Sequence, residues 1–260
     1  MRVCAIVLGT ILALSLLPAR LGAAETPSSE TTSVPATSDT PQLPAYVARP
    51  AGSAPAPGVV VLHGCDGYTK HYAVISDWLA GHGYVAVAID SLTPRGKKNS
   101  CGDRSGSRNE AKDARATLAW MRAQPYVDGS RLALLGYSMG GIATLDIVAP
   151  ERPAQLPEGL RAAVAYYPSC RKRSAASVSV PLQILDGDAD DWTPAPPCQA
   201  FASDAAHIGK PVAITTYPGA THAFNVIAPD RVRYGHQLRY DPAATAEAAT
   251  QTLTFLRKQL

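Results

Sequence analysis

Three residue types in one chain order could carry chemistry: a serine in a glycine-flanked turn, a cluster of aspartates after it, and a histidine after those. Ser138 lies in Gly136-Tyr137-Ser138-Met139-Gly140, between an apolar run at residues 132–135 and a helix-like segment at 142–149. A serine on a tight strand-to-helix turn is held in a strained backbone conformation with its hydroxyl exposed, and flanking glycines let neighbouring turns approach. The helix that follows directs its first N–H groups and positive dipole end at developing negative charge, which makes the Met139 amide a candidate oxyanion donor. A plain glycine-rich loop is the competing reading. What separates the two is whether an acid and a histidine follow in that order.

They do. After the strand-like residues 181–185 comes Asp186-Gly187-Asp188-Ala189-Asp190-Asp191, a loop suited to an acid that fixes a histidine tautomer. Four aspartates compete there, and spacing does not choose among them. Three of the six histidines, His207, His222 and His236, follow these acids. His207 falls near the end of a helix-like segment and His236 in a polar loop rich in Arg and Tyr. His222 leaves the strand-like residues 212–217 through a Pro-Gly turn, so it is the expected general base.

The elements that must position these groups read as alternating strands and helices. Residues 45–49 read as a first strand, and 59–62 form an unbroken apolar run suited to a buried parallel strand. His63-Gly64-Cys65 follows at once, where a second oxyanion donor belongs, and the amide of Cys65 is assigned to it. His63 itself reads as a packed or backbone-bonded histidine. Residues 84–89 are the next strand, and its exit carries Arg95 over the sheet edge where ligands bind; Arg95 is expected to meet an anionic substrate group or to be salt-bridged on its loop. Tyr137, beside the serine, is a second candidate for substrate contact. Helical spacing at Ala114, Leu118 and Met121 gives a crossover helix, and Ala249, Leu253, Leu256 and Leu260 give a closing amphipathic one. The expectation is an α/β fold with a mostly parallel central sheet and helices on both faces.

Composition narrows the setting. Arg2, the apolar residues 5–17 and the small residues 22–24 read as a cleaved secretory signal over residues 1–24, too short to span a bilayer. Residues 25–44, rich in Ser, Thr and Pro, read as a disordered linker, leaving 45–260 as one domain. With 24 basic and 21 acidic side chains, nothing points to nucleic acid or an anionic membrane as partner. Four cysteines remain after cleavage, and an even number in an exported chain favours disulfides. Of three connectivities, Cys65 with Cys101 and Cys170 with Cys198 is preferred, because each pair lies on loops after neighbouring strands. No CxxC or clustered histidine supports a metal site.

Together these blocks resemble the dienelactone hydrolase family of α/β-hydrolases from about Leu43 onward. The likeness rests on His-Gly-Cys-Asp-Gly at 63–67, Asp-Ser-x-x-Pro-Arg-Gly at 90–96, Gly-Tyr-Ser-Met-Gly-Gly at 136–141, Asp-Asp-Trp-Thr-Pro at 190–194 and Tyr-Pro-Gly-Ala-x-His at 217–222. It implies an α/β-hydrolase fold and, through a Gly-x-x-Asp-x-x-x-Pro pattern on Gly187, Asp190 and Pro194, selects Asp190 as the acid with Asp191 as fallback. Ser138 stands where the enzyme that gave the family its name has cysteine, so generic ester hydrolysis is the implied chemistry. The expectation is an exported, cofactor-free serine hydrolase acting on a small-molecule ester or lactone. A serine peptidase or acyltransferase uses the same triad, and a non-catalytic binding protein on this scaffold is the rival outside enzymes.

Overall fold

The computed structural model describes Met1 and residues 26–103, 105–150 and 155–260. Apart from Met1, the signal expected over residues 1–24 lies outside the described residues. A strand that is apolar at every position has to be covered on both faces, and this requirement sets the architecture. In β3 (Ala56–Leu62), Val60 and Leu62 enter one core while Val59 and Val61 enter another. The first core lies under α2 (Gly106–Arg122), α3 (Met139–Val148) and α4 (Pro196–His207). The second lies under α1 (Lys70–Ala80) and α5 (Pro242–Gln259).

Eight strands form the sheet in the order β1-β2-β4-β3-β5-β6-β7-β8. From β4 (Val85–Ile89) through β3, β5 (Val127–Tyr137), β6 (Leu160–Tyr166) and β7 (Leu182–Gly187) to β8 (Val212–Tyr217) every pairing is parallel. Only β1 (Ser28–Val34) and β2 (Leu43–Arg49) pair antiparallel. Parallel strands all end on one side, so the loops after β3, β4, β5, β7 and β8 converge at a single sheet edge.

Two expectations need correction. The stretch at 25–44, read as a disordered linker, contributes β1, paired with β2 from Ser28 opposite Arg49 to Val34 opposite Leu43. An edge strand needs no apolar face: Val34 alone is buried, backbone pairing recruits the rest, and the β-branched threonines suit it. The sheet therefore begins well before residue 45. The polar loop around His236 also holds a strand pair, β9 (Arg231–Arg233) with β10 (His236–Leu238), joined to His222 by a bridge at Leu238. Among the described residues no helix is long and apolar enough to cross a membrane.

Candidate active site

Ser138 joins β5 to α3 at φ 53° and ψ −111°, a strained conformation for a non-glycine residue. The turn exists because its flanks have no side chains. A Cβ on Gly136 would lie 2.1 Å from the Gly140 carbonyl oxygen, and one on Gly140 would lie 2.5 Å from that of Leu62. The Ser138 amide donates to Tyr166 O at 3.0 Å and the Gly140 amide to His63 O at 3.0 Å, which pins the turn to both adjacent strands.

The Ser138 hydroxyl lies 2.8 Å from Nε2 of His222. Nδ1 of His222 lies 2.7 Å from Oδ2 of Asp190. Because Nδ1–H donates to the carboxylate, Nε2 is left bare towards the serine, the tautomer that can take its proton. Asp190 and His222 are 4% and 3% exposed, so this relay runs in a water-poor setting. Oδ1 of Asp190 accepts from the amides of Trp192 and Thr193, each at 2.8 Å, and the Thr193 hydroxyl lies 3.1 Å from Oδ2.

The four aspartates are thereby sorted. Asp188 accepts from the Gly219 amide. Asp191, with its side chain 51% exposed, faces His236 and the Gln237 amide. Asp186 is buried, and desolvation together with the nearby Asp190 charge pushes its carboxyl up to about 8. Of the other histidines, His207 bonds its own helix at Ser203 O, and His236 stacks on Trp192 with ring centroids 4.9 Å apart.

Met139 follows Ser138 at the start of α3, and Cys65 lines the same cleft. The loop carrying Cys65 is braced on several sides. The Gly64 amide donates to Tyr72 OH at 2.7 Å, Nδ1 of His63 to Gly64 O at 2.8 Å, and the Ser100 amide to Cys65 O at 2.8 Å. The Cys65–Cys101 disulfide closes the same loop, and Cys170–Cys198 ties the loop after β6 to α4. Nε2 of His63 accepts from the Ser91 amide, and burial holds its imidazole below the usual range, so it stays neutral and structural. Beside it Glu110 is fully buried, and burial, reinforced by Asp113, holds its carboxyl well above the carboxylate range. Cys65, Asp66 and Cys101 cluster as metal ligands might, but both sulfurs are consumed by the disulfide.

Arg95 is not brought to the site. Its guanidinium grips Asp113 of α2 at 2.7 and 2.9 Å and Ser91 O at 2.6 Å, because a fully buried carboxylate needs that fork more than the cleft does. Of the two expected substrate-contact residues only Tyr137 lines the cleft, buried and next to Ser138. Sequence reasoning passed over Trp192, whose ring lies 5.0 Å from that of His222, and Thr193. Their position two and three residues after Asp190 was the available signal. It also missed the β9–β10 pair, which roofs the cleft and is tied down by Arg233 to Asp66 at 2.6 Å.

A family model described as "Dienelactone hydrolase family" matches residues 43–260. The chain belongs to the dienelactone hydrolase family. By that membership it is a carboxylic ester hydrolase. It is similar to a probable 2-oxo-3-(5-oxofuran-2-ylidene)propanoate lactonase from Bradyrhizobium sp, 27% identical over 83% of this chain and 89% of that one. A cutinase from Thermobifida alba is 32% identical over 52% of the chain; that match spans 43% of the cutinase, less than half its length. Among solved structures, a putative dienelactone hydrolase from Klebsiella pneumoniae subsp. pneumoniae MGH 78578 superposes with a TM-score of 0.73 at 21% identity, over 89% of this chain and 99% of that one. That likeness shows the fold.

Proposed function

We propose that this dienelactone hydrolase family member is an exported serine hydrolase that opens carboxylic esters or lactones through an acyl-enzyme. The observation carrying this reading is the continuous relay from the strained Ser138 through His222 to Asp190, at 2.8 and 2.7 Å. Ser138 Oγ attacks the carbonyl carbon as His222 Nε2 takes its proton, and Asp190 stabilises the imidazolium. The Met139 and Cys65 amides hold the oxyanion. Collapse breaks the bond to the alcohol, whose oxygen receives the proton from His222. Water then repeats the sequence on the acyl-enzyme and releases the acid. Every step uses groups of this chain. Two disulfides support an oxidising compartment, and with the signal-like residues 1–24 they support export.

The test is stopped-flow hydrolysis of a short-chain p-nitrophenyl ester by the oxidised, signal-free protein beside its Ser138→Ala variant. A burst and turnover in the parent, with kcat at least about 10⁴-fold lower in the variant, are expected. Turnover retained in the variant would remove Ser138 as nucleophile.

A further inference from the structure

The cleft above Ser138 divides into two lobes that share Ser138, Cys65 and Trp192. The larger, about 380 Å³, runs past Met139 and Ile142 towards the loop at residues 100–103. The smaller, about 140 Å³, is the one His222 borders, with Tyr72, Tyr137, Tyr167 and Val226 among its walls. Acyl transfer decides which part of an ester enters which lobe. His222 must hand its proton to the oxygen that leaves when the C–O bond breaks, so the alcohol has to lie on the His222 side. The remaining substituent of the carbonyl carbon is then directed past Met139 into the larger lobe.

The small lobe cannot yield cheaply to a bigger occupant. Tyr137 packs with its ring centroid 5.9 Å from that of Tyr72 and 4.6 Å from that of Tyr166. Tyr167 is fixed by donating to Oδ1 of Asn225 at 2.6 Å, and Nδ2 of Asn225 donates in turn to Nε2 of His71 at 3.2 Å. Widening this wall breaks buried hydrogen bonds and moves rings packed from several elements. The larger lobe has no such aromatic box; loop residues 100–103 and the first turn of α3 form much of its wall. We infer that, given the ester-hydrolase reading above, this protein selects esters whose leaving alcohol is small and whose acyl part is extended.

Two ester series measure this directly. In one, methyl esters run from acetate to octanoate; in the other, butanoates run from methyl to octyl. The expected result is a fall in kcat/KM of at least about tenfold from methyl to octyl butanoate, against less than about threefold between methyl butanoate and methyl octanoate. Val226→Ala should flatten the alcohol series and leave the acyl slope in place, whereas Ile142→Phe should steepen the acyl series alone. Reversed slopes, equal slopes, or both variants acting on the same series would overturn the inference while the ester-hydrolase reading stands. If no ester in either series is hydrolysed by the folded protein, the underlying reading fails and this inference fails with it.

Discussion

At the scale of single residues, the choice of acid is the sharpest claim. Sequence spacing left four aspartates open, family resemblance favoured Asp190, and the geometry gives Asp190 the bond to His222 while Asp191 faces His236. Asp190→Asn should leave the fold intact, because an amide oxygen can still accept from the Trp192 and Thr193 amides. It removes the charge that holds Nδ1–H towards residue 190, and the opposite tautomer points a proton at Ser138. A drop in kcat of about 10⁴ is expected, against less than about threefold for Asp191→Asn. Steady-state ester hydrolysis with matched melting curves decides the matter; similar losses in both variants would return the acid to an open question.

At the scale of elements, the loop after β3 matters most, since it carries the Cys65 amide proposed above as the second oxyanion donor. The disulfides close loops of 36 and 28 residues, so in the chain-entropy model each stabilises by roughly 3.5–4 kcal/mol. Equal stability loss makes unequal activity loss informative. Cys65→Ser combined with Cys101→Ser should lower kcat about tenfold with KM nearly constant, because a loosened donor loop weakens transition-state binding. Cys170→Ser combined with Cys198→Ser should cost less than about threefold in kcat, measured well below either melting temperature. Equal kcat losses in the two pairs would mean that the Cys65–Cys101 bridge does not preorganise the donor. Elements also show what sequence could deliver. Ser138, His222 and the parallel strands were legible because turn strain, strand exits and doubly buried strands each impose a pattern along the chain. β1 was not, because an edge strand of Ser and Thr resembles a tether until a partner strand is present. For Arg95 the salt-bridged alternative holds, and sequence could not choose it because the partner, Asp113, lies 18 residues away and becomes its neighbour only when α2 packs on the sheet. The β9–β10 pair escaped for a similar reason: three-residue strands carry too little periodicity to register.

At the scale of the whole molecule, the fold buries a second carboxyl close to Asp190, and this gives its stability a pH slope. Asp186, the next-to-last residue of β7, is fully buried, and among the described residues its Oδ2 has no hydrogen-bond partner. Its pKa rises from 3.8 to about 8, first because burial disfavours the charge and then because Asp190 repels it. An unfolded chain releases this proton near pH 4, whereas the folded one holds it to about pH 8. The folded state therefore binds more protons between those values, and its stability falls as pH rises through that window. The buried Glu110 carboxyl, shifted in the same direction, adds to the slope. Asp186→Asn removes one contribution by making the side chain permanently neutral. The variant should match the parent near pH 4 and exceed it near pH 8 by on the order of 2 kcal/mol, about 4–8 °C in Tm for a chain of this size. That figure is smaller than full linkage, because local relaxation and water entry accommodate the ionised carboxylate in the folded parent. Thermal melts of both proteins across pH 4–9 test it, and a Tm difference that stays constant with pH would mean that Asp186 ionises in the folded chain as it does in the unfolded one.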